Sequence, residues 1–357
     1  MKKNLQKILV LALGLTTTIA SAQFSANSTS RIDNTDSENR SMENRIAISA
    51  DYGAVHVSSD VSAATDGSAA SYAIYEAYAS TDLMGFGTLT VGRKDLSFGS
   101  GALLSGNDWG LNRHTEDGIS LDANLGGFDV SLGSLAGVQY DNSNYMNASG
   151  NFGGADVNIL MMNQDDNKAH GYDLSYAMNS FTLTASMNSD YDGDEMTSYG
   201  LTYNVSDDLS ASFGRTSYGD AVAGVDEMGN PTLSDGFNMA NTQMNDGWAS
   251  GNMGYLGSND EATSMGVSYD LGDITLSYTM TTVTNDNQVD DGNGVMVDAT
   301  PDDREVTVMS LAYQLNDNCN ISMSRFSDSS LEVAGDPANN VVGDDGERTY
   351  LTISIGL

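Results

Sequence analysis

Apolar and polar residues alternate along this chain in paired short runs, each pair joined by a tight polar or glycine turn. The pairs read GISLDANLGGFDVSLG over residues 118–133, YDLSYAMNSFTLTASM over 172–187 and YGLTYNVSDDLSASFG over 199–214. They return as MGVSYDLGDITLSYTM over 265–280 and MSLAYQLNDNCNISMS over 309–324. A period of two closed by Gly-Gly, Asn-Ser or Gly-Asp predicts antiparallel hairpins. Longer acidic stretches rich in Gly and Asn separate the hairpins. Short turn followed by long loop is the rhythm of a transmembrane barrel.

The pattern predicts an all-β, antiparallel up-and-down barrel of about 16 strands, within a range of roughly 14–18. The strands begin near Arg45, Tyr72, Thr88, Gly118, Asp129, Tyr145, Ala155, Tyr172, Phe181, Tyr199, Leu209, Met265, Ile274, Met309, Asn320 and Tyr350. An even count lets the sheet close with both termini at one end and no free edge. With the N-terminus in the periplasm, the short turns are periplasmic and the loops 216–262, 284–304 and 328–347 face outward.

In the best hairpins one face is apolar throughout, as in Leu174, Tyr176, Met178, Phe181, Leu183 and Met187. The other face carries Thr182, Thr184 and Ser186. A soluble sandwich shows the same alternation with its apolar face inside. Tyr176, Tyr203, Tyr269 and Tyr313 tilt the choice. Each is expected two residues before a strand end, at one height, as an interfacial aromatic girdle requires. Residues 155–162 and 305–315 are apolar on both faces, a mark of bulges or subunit contacts. The loop 216–262, with Trp248 and Tyr255, is the expected lid or plug of the lumen.

The N-terminus places such a barrel. Lys2, Lys3 and Lys7 precede an apolar stretch over 8–19, and Ala20-Ser21-Ala22 offers a signal-peptidase site. Residues 1–22 therefore read as a signal peptide and 23–44 as a disordered lead-in. Residues 45–357 then form the outer-membrane barrel.

Charge narrows the partners. The chain has 14 Lys and Arg against 49 Asp and Glu. Losing Lys2, Lys3 and Lys7 leaves 11 basic residues and a net charge of −38. That disfavours nucleic acid and any other anionic partner in the absence of a local basic patch, and no nucleic-acid partner is expected. The expected partners are outer-membrane lipid and lipopolysaccharide, the barrel-assembly machinery, and small hydrophilic solutes or ions. Oligomeric state is left open. Cys319 has no disulfide partner and reads as a small membrane-facing residue.

Residues 85–123 run GFGTLTVGRKDLSFGSGALLSGNDWGLNRHTEDGISLDA. Gly92, Arg93, Lys94, Phe98, Gly99, Leu103, Leu104, Gly106, Asp108, Trp109, Arg113, Asp117 and Gly118 resemble the early segment of alginate-export outer-membrane barrels. That family has a basic residue before its Leu-Leu pair, where this chain has Ala102. The resemblance implies a barrel that passes anionic polysaccharide through a basic lumen. The few basic residues here speak against that cargo. Arg31, Arg40, Arg45 and Lys168 fall on no clear lumen face, and Arg215, Arg304, Arg325 and Arg348 lie near strand tops.

Arg93, Lys94 and Arg113 cluster, facing Asp95, Asp108 and Asp117. These six residues are the candidate constriction. They would either set a transverse field across the lumen or pin a folded-in loop. His56, His114 and His170 form no catalytic pattern, and the 190–195 acidic run departs from a calcium-loop pattern at Glu195 and Leu201. No catalytic residue, metal or cofactor is expected. The function read from the sequence is a porin-like channel for ions and small hydrophilic solutes, saccharides among them, with modest cation preference. The alternatives are a non-conducting barrel for adhesion or surface structure, and export of a polyanionic polysaccharide.

Overall fold

A computed structural model describes residues 23–34, 41–64, 70–104, 115–136, 143–191, 193, 195–219, 224–225, 231–232, 260–285, 288–290, 296–298, 304–333 and 344–356. Eighteen strands form one antiparallel sheet that closes on itself, because the first strand pairs with both the second and the last. The strands are β1 (Gln23–Asp33), β2 (Ser41–Tyr52), β3 (Val55–Ala64), β4 (Ser71–Asp82), β5 (Thr88–Lys94) and β6 (Glu116–Leu125). They continue as β7 (Phe128–Leu135), β8 (Ser143–Phe152), β9 (Ala155–Gln164), β10 (Asn167–Met178), β11 (Phe181–Ser189) and β12 (Glu195–Asn204). The ring is completed by β13 (Leu209–Tyr218), β14 (Asp260–Asp270), β15 (Ile274–Asn285), β16 (Arg304–Asn316), β17 (Cys319–Val333) and β18 (Asp344–Gly356).

All sixteen strands expected from the alternation are present, and the structure adds β1 and β3. Residues 23–33, expected in a disordered lead-in, instead pair along their whole length with β2 and seal the barrel against β18. The pairing gives the otherwise open edge of β18 a partner, which closure requires. Residues 41–44 likewise belong to β2. The signal peptide expected over 1–22 lies outside the described residues.

Side-chain direction follows from exposure. Leu174, Leu183, Met187, Met265, Val267, Leu276, Met280, Met309 and Met323 are exposed large apolar residues at alternate strand positions. A water-facing surface of that kind would be unstable, so this is the lipid face. Cys319 shares the outward parity of Met323. Tyr203, Tyr269 and Tyr313 stand on the same face beside the short turns, and Phe181 stacks on Tyr203 with ring centroids 4.6 Å apart. Their distance from the strand end varies: Tyr203 and Tyr269 are one residue from it, Tyr176 two and Tyr313 three. The aromatics of the belt therefore follow the membrane boundary, and the strand ends are ragged around it.

The inner face is Ser, Thr, Asn and Asp over the short-turn half of β6–β13, and buried apolar residues of β7–β10 and β12–β15 line much of its long-loop half. That second zone determines the site.

Candidate constriction and lumen site

The segment after β5, residues 95–104, leaves the wall and enters the lumen. Two bonds at β4 set its departure. Tyr75 donates its hydroxyl to Asp95 Oδ2 at 2.7 Å, and Asp95 N donates to Glu76 Oε1 at 3.2 Å. A turn at Phe98–Gly101, closed by Gly101 N donating to Phe98 O at 3.0 Å, sends the chain back. At the turn Ser186 of β11 donates to Ser100 Oγ at 3.0 Å. β5 and β11 lie a third of the ring apart, so the segment crosses a chord of the lumen.

Apolar burial holds it there. Leu96, Ala102, Leu103 and Leu104 pack with inward-facing Leu135, Tyr145, Leu160, Met162, Ala169, Met196, Tyr218, Ala262 and Val283. Leu104 is 0% exposed. Burying each leucine contributes about 1.5–3 kcal/mol. Gly99 lies in the left-handed region at φ +58°, and an added Cβ there would fall on Asp173 Oδ2 and Asn158 Nδ2. Glycine lets the turn touch the wall.

This packing also explains the stretches apolar on both faces. In β9, Leu160 and Met162 face inward to hold the segment, while Met161 faces lipid. In β16, Val306 and Val308 pack inward with Tyr350 of β18. The expected plug, 216–262, lies outside the described residues from 220 to 259 apart from two paired two-residue strands at 224–225 and 231–232, and among the described residues the folded-in segment is 95–104.

The predicted constriction residues separate. Arg93 and Asp117 are direct cross-strand partners joined by two bonds, Nε to Oδ1 at 2.9 Å and a terminal nitrogen to Oδ2 at 2.8 Å. Their side chains are 44% and 46% exposed. They share parity with exposed Val91 and Ile119, so the pair stands on the outer face of the barrel and corrects the expectation of a lumen position. Lys94, one residue on, faces inward and reaches Asp122 at 3.7 Å. Asp95 anchors the segment, and Asp108 and Arg113 lie outside the described residues.

Two further arginine pairs repeat the outer arrangement near the long-loop ends: Arg215 with Glu261, and Arg325 with Glu347 at 2.5 Å. Lys168 also has outward parity. Inward parity is found instead for Arg31, Arg45, Arg304 and Arg348, which sequence reading did not place in the lumen. Arg31 pairs with Glu43 at 2.7 Å and lies over the Tyr350 ring at 5.6 Å, and Arg304 is held by Asp328 at 2.5 Å. All of these lie on β16–β18 and β1–β2.

On the opposite side of the ring, below the segment, a cavity of about 1130 Å³ opens along β6–β13. Asp122, Asp129, Asp156 and Asp173 line it, with Ser and Asn between them and no Lys, Arg or His among the described lining residues. Asn124 donates to Asp129 at 2.9 Å, Asn151 to Asp156 at 2.9 Å and Asn158 to Asp173 at 3.2 Å. Asp173 Oδ1 and Asn147 Oδ1 are buried without a partner among the described residues. An unmet buried acceptor costs about 1–3 kcal/mol. Among the described residues no three His, Cys, Asp or Glu side chains are arranged to hold a metal ion.

Comparison with known proteins agrees with this architecture. No curated protein matches the sequence. Among solved structures the chain is similar to OccK5 (OpdH) of Pseudomonas aeruginosa, with a TM-score of 0.67 at 13% identity over 94% of this chain and 98% of that one. OpdK of the same organism, solved with vanillate, gives 0.63 at 13% identity, covering 94% and 98%. OccAB3 of Acinetobacter baumannii gives 0.63 at 9%, also covering 94% and 98%. At such identities the likeness shows a shared fold, that of outer-membrane porin barrels. The family model described as Alginate export matches residues 20–211, more than half of the chain. The resemblance first met in residues 85–123 thus extends from the N-terminal region through β12 to the start of β13, and this outer-membrane barrel belongs to the Alginate export family.

Proposed function

We propose that the chain is a passive channel of the outer membrane for ions and small hydrophilic solutes, saccharides among them, with modest cation preference. The observation that carries this reading is the polar cavity of about 1130 Å³ beneath the folded-in segment, inside a wall of eighteen strands. A ring of that size leaves an aqueous lumen unless something fills it. The described segment 95–104 covers a chord of it.

Cation preference follows from the four lining aspartates and from the acidic loops. Carboxylates at a pore mouth concentrate cations over about a Debye length, ~8 Å at physiological salt. Reversal potentials of the purified protein in a KCl gradient across a planar bilayer test this. K⁺ should be favoured over Cl⁻, and the preference should shrink as salt is raised. Clear anion selectivity would instead mean that the wall carrying Arg31, Arg45, Arg304 and Arg348 dominates, and would favour export of a polyanion. That second reading is supported by family membership. Absence of conductance would favour a non-conducting surface barrel.

The reading has the signal over 1–22 removed on export, the barrel-assembly machinery inserting the strands, and lipopolysaccharide surrounding the outer leaflet. It assigns transport and no catalysis. The turns joining β2 to β3, β6 to β7 and β12 to β13 lie at the periplasmic end, and the β9–β10 turn lies at the opposite end. With Cys319→Ser as background, an impermeant maleimide should label Asp166→Cys, at the β9–β10 turn, on intact cells and leave Ser206→Cys unlabelled. The reverse pattern would invert the orientation.

A further inference from the structure

Three pairs in the lumen repeat one arrangement. Asn124 and Asp129, Asn151 and Asp156, and Asn158 and Asp173 are each direct cross-strand partners. In each the amide donates to one carboxylate oxygen, at 2.9, 2.9 and 3.2 Å. A neutral amide fixes the direction of a carboxylate without cancelling its charge. On β1–β2 and β16–β17 an inward acid is met by arginine, as Glu43 is by Arg31 and Asp328 by Arg304. Along β7–β10 the cation is replaced by asparagine, and the charge is left standing.

A second observation points to what would complete the wall. Asn147 of β8 is only 4% exposed, lines the same cavity, and its Oδ1 has no hydrogen-bond partner among the described residues. Asp173 Oδ1, on β10 beyond the intervening β9, is likewise without one. Two buried acceptors and a row of unneutralised carboxylates lack the same thing, a donor that carries positive charge.

We propose that this wall is a binding track for small protonated aliphatic amines, di- and polyamines in particular, within the channel proposed above, on which this inference rests. A metal ion fits poorly. Ca²⁺ takes six to eight converging oxygens, whereas these carboxylates are strung along successive hairpins and each already accepts an amide bond. A chain with ammonium groups at its ends matches separated anions better. A zwitterionic amino acid fits less well than an amine, because no basic residue among the described lining residues is placed to take its carboxylate.

Calorimetric titration of putrescine into the detergent-solubilised protein tests the proposal without requiring conduction. Putrescine should bind at least tenfold more tightly than lysine, and glutamate should give no binding. The Asp129→Asn, Asp156→Asn, Asp173→Asn triple variant should bind putrescine at least tenfold more weakly. Asp173→Asn alone should fall between, and Arg93→Gln on the outer face should match wild type. Heat-modifiable gel mobility checks that each variant is a folded barrel. Equal binding of putrescine and lysine, undiminished binding by the folded triple variant, or no binding by wild type would overturn the amine track. Failure of the channel reading would appear separately, as absent conductance with putrescine binding intact.

Discussion

Leu103→Ala with Leu104→Ala should release the folded-in segment and raise single-channel conductance well above wild type. Both leucines are buried against the inner wall, Leu103 at 2% exposure and Leu104 at 0%. Truncating a buried leucine costs about 2–5 kcal/mol. The pair therefore removes the most deeply buried part of the apolar anchorage of a ten-residue segment. What remains is Leu96, Phe98 and Ala102 of the apolar cluster, with the Tyr75–Asp95 bond at one end and the Ser186–Ser100 bond at the turn. Neither bond outweighs water competing in an open lumen. The wall itself should survive, because its inter-strand ladder does not include residues 95–104. Unchanged gel mobility together with a larger and noisier conductance is the expected result. Unchanged conductance in a folded variant would mean that the segment does not limit the passage.

The architecture was legible because lipid on one side and water on the other impose a strict period of two. Where that contrast fades, reading fails. The outward positions of β1 are Phe24, Ala26, Ser28, Ser30 and Ile32, only two of them large and apolar, so QFSANSTSRID looks like a polar tail. Its strand conformation comes from the edges of β2 and β18, which no local pattern reports. β3 has His56, Ser58, Ser59 and Asp60 between its valines, so its apolar face is short and broken.

The site was legible only in part, for two physical reasons. Arg93 and Lys94 are neighbours in a strand, and alternation sends neighbours to opposite faces. The rule that located the strands therefore also forbade the expected lumen cluster. One charge pairs with Asp117 on the outside and the other reaches Asp122 on the inside. The second reason is that a folded-in segment is defined by distant partners. Its trace in the sequence was the run of β9 in which Leu160, Met161 and Met162 are all apolar. A barrel strand needs an apolar inner face only where something dry lies against it.

Family membership and charge pull this molecule in different directions, and the lumen keeps both. Apart from Lys94 at the end of β5, the described Lys and Arg with inward parity sit on β16–β18 and β1–β2, while the asparagine-bonded acids sit on β7–β10. β1 and β10 are half the ring apart. A solute in the lumen therefore meets a field directed across the pore, from the arginine side to the aspartate side. Such a field orients dipolar solutes and sorts ions to opposite walls. The sequence reading anticipated a transverse field and assigned part of it to Arg93, which stands on the outer face.

Met280→Arg should abolish assembly, while Thr279→Arg, one residue away, should be tolerated. Met280 lies midway along β15, is 40% exposed and pairs with Met265 on the lipid face. An arginine at mid-membrane depth on that face costs about 2–4 kcal/mol. It also occupies a strand that must be in place before β16–β18 can close on β1. Thr279 has the opposite parity and points toward water, where a guanidinium keeps its hydration. A soluble sandwich would give the same order of effects with its faces reversed, so the measurement must include the solvent. Refolding is followed by gel mobility in detergent micelles and, in parallel, in buffer alone. Wild type and Thr279→Arg should fold only with detergent, and Met280→Arg in neither. Folding of wild type to a monodisperse species without detergent would mean that the exposed apolar face does not meet lipid, and the membrane reading would fall with it.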